Sequence, residues 1–450
     1  MRRRATLLAP KDFDAWAYDI HWPKDNQKLP LKGSVQLTVE DIKFAYNAWS
    51  LLRLALFFGT EYPKVLSPLS GTTPSMDIAR GGNRLFHTYV HTAAPLSKAR
   101  TRVALTPQHP EAQSVQQFDW ASVTNGASGG VEIVLGMENG LTEETVRKCD
   151  KCVYIPQYGS IGSLSMMSAL AIGAHSAYRG FFGDGAPPSD HTLGHMPRSN
   201  NPIQRPGTLP HESDLLHLSN DEIITLLRER RSYYPLQIAV AMHNAYADRN
   251  ISAVMRNGNA YNIEKFFMLN RRKHNRRGAV GTQKLLDIEY SDTIPAAALQ
   301  EYEVWLLYPY YPYLRCYGCG PDSPELTYLR PDSPDLVAYQ STIHGLNDSH
   351  PLVKLYPHLA RTELFLDDSP SLFRAVKEVR RRNKKGILLA VPEEGTSPHH
   401  TLASHASRTV FVAQPCHIDP TVQRGLTRPC PRLLRLSEFG VQSMHFFTSN

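Results

Sequence analysis

Long apolar runs are missing from this 450-residue chain. No window approaches the roughly 18 uncharged apolar residues that a membrane-crossing helix needs. The richest stretch, Ser163 to Tyr178, is diluted by Ser, Gly and Ala and reads as a buried helix. Cysteine is scarce: six residues are too few for a disulfide framework, which points to a reducing compartment. Nor is charge of one sign in large excess. Lys and Arg number 49 against 42 Asp and Glu, a net charge of +7 that admits an anionic polymer as partner without demanding one. What is present, 42% hydrophobic and 20% charged residues, is ordinary for folded chains. At roughly 150 residues per domain it leaves room for two or three.

Punctuation along the chain divides it. Arg2, Arg3, Arg4 and Lys11 precede the first acid, Asp12, which resembles the start of a mitochondrial presequence; a basic tail touching phosphates is the other reading. Residues 1–30 are therefore set apart as an extension. A second break opens at Gly183-Asp184-Gly185 and continues through Pro187, Pro188, Pro197, Pro202, Pro206 and Pro210, too poor in apolar periodicity to offset its chain entropy. Residues 183–218 read as a linker, ended by Ser219 and Glu222, whose spacing predicts a capping box opening a helix.

Between these breaks, over 31–182, strand-like and helix-like segments alternate. Val35–Ile42, Val131–Leu135 and Cys152–Ile155 are strand candidates; Asn47–Phe58, Leu141–Lys148 and Ser163–Tyr178 are helix candidates. Such alternation predicts an α/β domain with a mostly parallel sheet. The pattern returns over 219–450, with Leu236–Met242, Phe266–Leu269, Ile387–Val391 and Val410–Ala413 as strands and Ile251–Ala260 as a helix. Asn47…Arg53 and Asn250…Arg256 share an Asn-to-Arg spacing in the same strand–turn–helix–strand context, 203 residues apart (250 minus 47). The chain reads as two copies of one α/β unit.

The first copy carries three motifs in order: Asn47 with Arg53, then Gly136-Met137-Glu138-Asn139-Gly140-Leu141, then Ile155-Pro156-Gln157-Tyr158-Gly159 running to Ser163-Leu164-Ser165. In this it resembles the SpoU/TrmH family of RNA 2′-O-ribose methyltransferases, of the SPOUT superfamily. The resemblance implies a C-terminal trefoil knot in the first copy, an exception to the rule of unknotted topology. It also implies S-adenosylmethionine as cofactor, held largely through the backbone at Leu135, Gly136, Ile155, Gln157 and Leu164. It assigns Arg53, with Asn47, Glu138, Ser163 and Ser165, to methyl transfer. Three departures stand out: Trp49 replaces a small residue, the turn from Glu138 to Gly140 is one residue short, and Ser165 replaces an Asn.

The second copy resembles the family through Asn250 and Arg256 and through the basic stretch Arg271, Arg272, Lys273, Arg276 and Arg277, which together are the RNA-binding candidates. Its later motifs are worn. Val410–Ala413 is the candidate second-motif strand, without a following Gly-x-Glu, and Leu436–Ser443 the candidate third motif, so this copy is expected to be degenerate. A further basic run, Arg380 to Lys385, suits either RNA or a solvated helix end. The rings from Trp305 to Tyr317 suit an insertion or interface more than a base-stacking platform. The pairs Cys149/Cys152 and Cys316/Cys319 would need to meet across domains to hold zinc, so no metal is expected. Family proteins act as dimers with the site at the interface, so the two copies are expected to pair as a pseudo-dimer, or with a related subunit. The expected partners are RNA, above all mitochondrial large-subunit rRNA, and assembly proteins, with no membrane. A catalytically inactive RNA-binding assembly factor on the same fold stays open as the alternative.

Overall fold

The structure, a computed structural model, describes residues 33–68, 90–182 and 215–307, apart from gaps at 43–44, 108, 124–128, 137–139, 161–163, 216, 235, 244–247, 272 and 276, and then 314–316, 327–329, 364–365, 378–392 and 400–410. The basic N-terminal extension and the linker up to residue 214 lie outside these.

Short apolar strands without alternation need cover on both faces, which a parallel sheet flanked by helices provides. In the first half the strands are β1 (Val35–Val39), β2 (Lys64–Val65), β3 (His91–Thr92), β4 (Thr101–Leu105), β5 (Gln113–Ser114), β6 (Val131–Leu135) and β7 (Lys151–Tyr154). In the second they are β8 (Gln237–His243), β9 (Lys265–Leu269), β10 (Ile288–Ser291), β11 (Tyr302–Leu307), an antiparallel hairpin of β12 (Leu314–Cys316) and β13 (Thr327–Leu329), then β14 (Leu364–Phe365), β15 (Gly386–Val391) and β16 (Arg408–Val410). The helices are α1 (Ala45–Phe58), α2 (Glu143–Arg147), α3 (Met166–Phe182), α4 (Asn220–Ser232), α5 (Asp248–Ala260), α6 (Ala296–Glu301) and α7 (His400–Ala403). None of these is long and apolar enough to cross a membrane.

Two seven-stranded sheets result, ordered β3-β2-β1-β6-β4-β7-β5 and β10-β9-β8-β15-β11-β16-β14. With the hairpin set aside, the second order repeats the first strand for strand. Register repeats as well. Val39 lies opposite Leu135 as Met242 lies opposite Val391, and Leu105 meets Val153 as Leu307 meets Val410. Every pairing within the two sheets is parallel.

This register corrects the reading of the second half. The counterpart of β6, the second-motif strand, is Gly386–Val391, and the sequence after it is Pro392-Glu393-Glu394-Gly395. Val410, expected in a second-motif strand, belongs instead to the counterpart of β7, the third-motif strand. Both runs are short and apolar, and only their strand partners tell them apart. Leu436–Ser443, the candidate third motif, lies outside the described residues.

Several elements follow directly from local chemistry. Ser219 and Glu222 close the expected capping box. Thr142 caps α2, and Glu40, just past β1, accepts from the Thr142 N–H at 3.0 Å and so ties the second-motif turn to the first strand. Helix α3 starts at Met166 rather than Ser163, because the Ser165 hydroxyl accepts the Ser168 N–H at 3.0 Å and makes Ser165 the N-cap. Strands β4 and β11 were not anticipated. Thr101–Leu105 is short and carries Arg102, and Tyr302–Leu307 was read as the start of the aromatic insertion. Trp305 is fully buried core, its indole N–H donating to Glu303.

Val35, Leu37, Val39, Val131, Ile133 and Leu135 belong to one apolar cluster with buried residues of α1 and α3. That cluster continues through Tyr158 into Tyr261, Val254 and Leu389, so the two halves share a core. Glu132, on the middle strand β6, is fully buried. It accepts from the Thr38 hydroxyl at 2.7 Å, the Ser97 N–H at 2.6 Å and the Lys64 ammonium at 3.2 Å. A buried carboxylate with three donors is tolerable; donors without it are not. Glu132→Ala is expected to lower stability by about 3 kcal/mol in urea unfolding, and a loss under about 1 kcal/mol would show the cluster to be dispensable.

Candidate functional site

Helix α5 is buried nearly all round, with Ile251, Val254 and Met255 beside the buried polar residues Asn250, Ser252, Asn257 and Asn259. It ends in a Schellman arrangement. Asn262, at a left-handed φ of 50°, donates its N–H to Asn259, and Ile263 donates to Gly258. The Ala260 carbonyl is left over, and the first half supplies its donors. The N–H groups of Tyr158 and Gly159, in the loop after β7, reach it at 2.7 and 3.2 Å. Only glycine allows this approach, since a Cβ at Gly159 would stand 1.6 Å from the Asn259 carbonyl oxygen. Alongside, the Ser160 hydroxyl accepts from the Asn259 amide at 3.0 Å.

One turn back on α5, Arg256 donates through Nη2 to the Leu164 carbonyl at 3.0 Å. The motif-one Arg of the second half thus touches the third-motif segment of the first. Asn250, on the same helix, is buried. The corresponding Asn47 and Arg53 lie on α1, Asn47 half-buried; the side chains of Arg53 and Trp49 lie outside the described residues. So do Glu138 and Ser163. Leu135, Ile155 and Gln157 are buried together at the C-terminal ends of β6 and β7, with Leu164 packed against the same core. Gly136 is pressed against its own turn: a Cβ there would lie 2.1 Å from the Gly140 carbonyl carbon. Gln157 is 5% exposed, and its Oε1 has no hydrogen-bond partner. Ser165 spends its hydroxyl on capping α3.

Part of the chain is similar to a known family. Residues 34–175 match the profile of the SpoU rRNA Methylase family. The match covers 142 of the 450 residues (175 minus 34, plus one). Solved structures resemble the chain over about a third of its length. One titled "Probable Methyltransferase", from Bordetella pertussis Tohama I, is 20% identical with a TM-score of 0.29, covering 33% of this chain and 98% of that one. The A. aeolicus TrmH/SpoU tRNA modifying enzyme is 18% identical with a TM-score of 0.28, covering 34% and 79%. The AdoMet-bound rRNA methyltransferase from Sinorhizobium meliloti is 18% identical with a TM-score of 0.27, covering 34% and 59%. No curated protein matches the chain.

Around the matched segment the expected basic patch is only partly open. Arg271 is ion-paired with Asp248, and its Nε donates to the Lys273 carbonyl at 2.8 Å. Lys273 is exposed, while Arg272, Arg276 and the Arg277 side chain lie outside the described residues. In the later basic run Lys384 donates to the carbonyls of Leu299 and Gln300, Lys385 pairs with Glu264 and Glu301, and Arg382 reaches Glu303. These three cations are held by the chain's own acceptors. Lys64, His91 and Lys98, which sequence reading passed over, line a cleft of about 670 Å³ at the β3 edge. No motif could have flagged residues so far apart in sequence.

Cys149 and Cys152 are free thiols. Burial, with Cys152 next, pushes the Cys149 thiol up to about 12, far from the thiolate that metals and redox chemistry use. Among the described residues no group of three or more His, Cys, Asp or Glu could hold a metal ion. Residue 159 sets the junction. Gly159→Ala is expected to cost at least about 3 kcal/mol in chemical denaturation, because the new methyl meets backbone that cannot yield. Gly173→Ala, whose Cβ meets only side-chain methyls, the Leu105 Cδ2 at 3.4 Å and the Ile133 Cγ2 at 3.6 Å, should stay within about 1 kcal/mol. Equal effects would remove the junction from its central place.

Proposed function

We propose that the chain is an RNA 2′-O-ribose methyltransferase whose two halves, within one polypeptide, build the kind of site that SpoU dimers build between subunits. The observation that carries this is the 3.0 Å contact from Arg256 to the Leu164 carbonyl. It joins the motif-one helix of one half to the third-motif segment of the other. The identical strand orders support descent of both halves from one unit.

The residues of the matched segment suit S-adenosylmethionine. Leu135 and Ile155 offer buried apolar surface for an adenine, and the unpartnered Gln157 Oε1 offers an acceptor for a donor group of the ligand. Bound there, the cofactor would supply an electrophilic methyl group. The protein's task is to hold a ribose hydroxyl in line and to stabilise the charge that grows on it. Arg256 suits that second role. A guanidinium is a poor base at its ordinary pKa, but it anchors phosphates and stabilises developing negative charge. The net charge of +7 and the cationic residues near the start of the chain favour an anionic polymer. We take mitochondrial large-subunit rRNA, with its assembly proteins, as the target.

One observation favours a second reading, a non-catalytic RNA-binding assembly factor. Ser165 stands where the family has an amide and is committed to capping α3. Titration with S-adenosylmethionine, followed by 2′-O-methyl mapping of organellar rRNA after depletion and rescue, separates the two. Under the enzyme reading Arg256→Ala binds cofactor within about threefold of the parent yet loses at least about 100-fold in methyl transfer. A variant that restores assembly with no rRNA methyl depending on the protein would support the assembly factor, and failure to bind cofactor at all would sink the enzyme.

A further inference from the structure

A second polar cluster sits at the junction, and only Tyr158 of it lies in a motif. The Arg230 guanidinium is 3% exposed, and none of its three nitrogens has a hydrogen-bond partner. The Tyr158 hydroxyl is likewise buried without a partner, and the buried Tyr234 hydroxyl has only the Asn262 amide beside it. Arg230 lies in the last turn of α4 and Tyr234 four residues on, just past the helix end, where the Arg230 charge acts on its hydroxyl. The Tyr234 ring meets Tyr158 edge-on, with centroids 6.0 Å apart, so the cluster links α4 of the second half to the loop after β7 of the first. The Asn262 amide accepts from Arg231 at 2.7 Å and donates to the Leu227 carbonyl at 3.0 Å, and its second N–H faces the Tyr234 oxygen, which leaves the Tyr234 O–H to donate.

A buried charge without a partner is among the least tolerated features of a folded chain. Here the unpaired group is a pure donor, the Tyr234 hydroxyl stands near it, and Tyr158 packs on the Tyr234 ring. Burial pulls the Arg230 guanidinium below its usual value and pushes the Tyr234 phenol up to about 12. Even so, the arginine remains a cation and the phenols remain protonated near neutral pH, so every member keeps a proton to donate. What the cluster lacks is an acceptor with negative charge, and in a site screened from water such charge-assisted bonds are strong. Burial also selects the ligand: a phosphate fixed in an RNA backbone cannot reach a group 3% exposed, whereas a free ion can.

We propose that Arg230, Tyr158 and Tyr234 form an internal binding site for a small free oxyanion of the phosphate class, which bridges the two halves. This does not depend on methyl transfer, and its readout is stability. Thermal unfolding of the full chain is compared in sodium phosphate and in sodium chloride at matched ionic strength. Phosphate is expected to raise the midpoint by about 5 °C more than chloride and to saturate, as site binding requires. Arg230→Met and the double change Tyr158→Phe with Tyr234→Phe should both abolish that increment. The double change removes only two hydroxyls and keeps the test open if Arg230→Met fails to fold. Equal midpoints of the parent in the two salts would overturn the site. So would an increment that survives in the double variant, or an Arg230→Met protein more stable than the parent in both salts.

Discussion

The Ala260 carbonyl is the point on which the arrangement of the molecule turns. A helix leaves its last carbonyls without intrahelical donors, and the Schellman ending at Asn262 answers only some of them. Ala260 takes its two donors, the N–H groups of Tyr158 and Gly159, from more than a hundred positions earlier in the chain. The bond fixes distance as well as partner. Backbone must meet backbone, so residue 159 can carry no side chain. With that contact in place Ser160 falls beside Asn259, Tyr158 against Tyr234 and Tyr261, and Arg256 under Leu164.

Helix α5 buries several polar residues, and Asn259 among them bonds across to Ser160 of the first half. Asn250, Ser252, Asn257 and Asn259 on α5 give no transfer free energy on burial and cost stability unless bonded. Polar groups of this kind narrow the ways in which two elements can dock, since a slipped arrangement strands donors and acceptors. Apolar packing from Val35 to Leu389 supplies the driving force, and the polar contacts choose the pose. Glu132 is a similar case inside one sheet. Its carboxylate gathers a strand hydroxyl, a loop N–H and an ammonium, and so ties β1, β2 and the segment before β4 to β6.

A duplicated sheet order does not make the halves chemically equal. The first half presents buried Leu135, Ile155 and Gln157 to the junction, while the second presents the helix with Arg256. Several cations that composition would assign to RNA are instead paired with the chain's own carboxylates or carbonyls, among them Arg271, Lys384 and Lys385. Net charge is therefore a poor guide to which side chains face a polyanion here.

How much of this was legible in sequence depended on range. Short-range chemistry was readable: the alternation of segments, the Ser219 and Glu222 capping box, and the Gly136 to Leu141 and Ile155 to Ser165 motifs all lie within a few residues of themselves, and local propensity determines them. The shared spacing of Asn47 with Arg53 and Asn250 with Arg256 was readable too, and the matching strand orders are in keeping with it. Tertiary structure decided what no local window holds. Pairing with β8 and β11 made Gly386–Val391 rather than Val410–Ala413 the second-motif strand, since two short apolar runs differ only in their neighbours. It also placed Arg256 at the Leu164 carbonyl and left Arg230 without an acceptor. Those outcomes rest on contacts between residues tens to hundreds of positions apart, which the sequence encodes only through the whole fold.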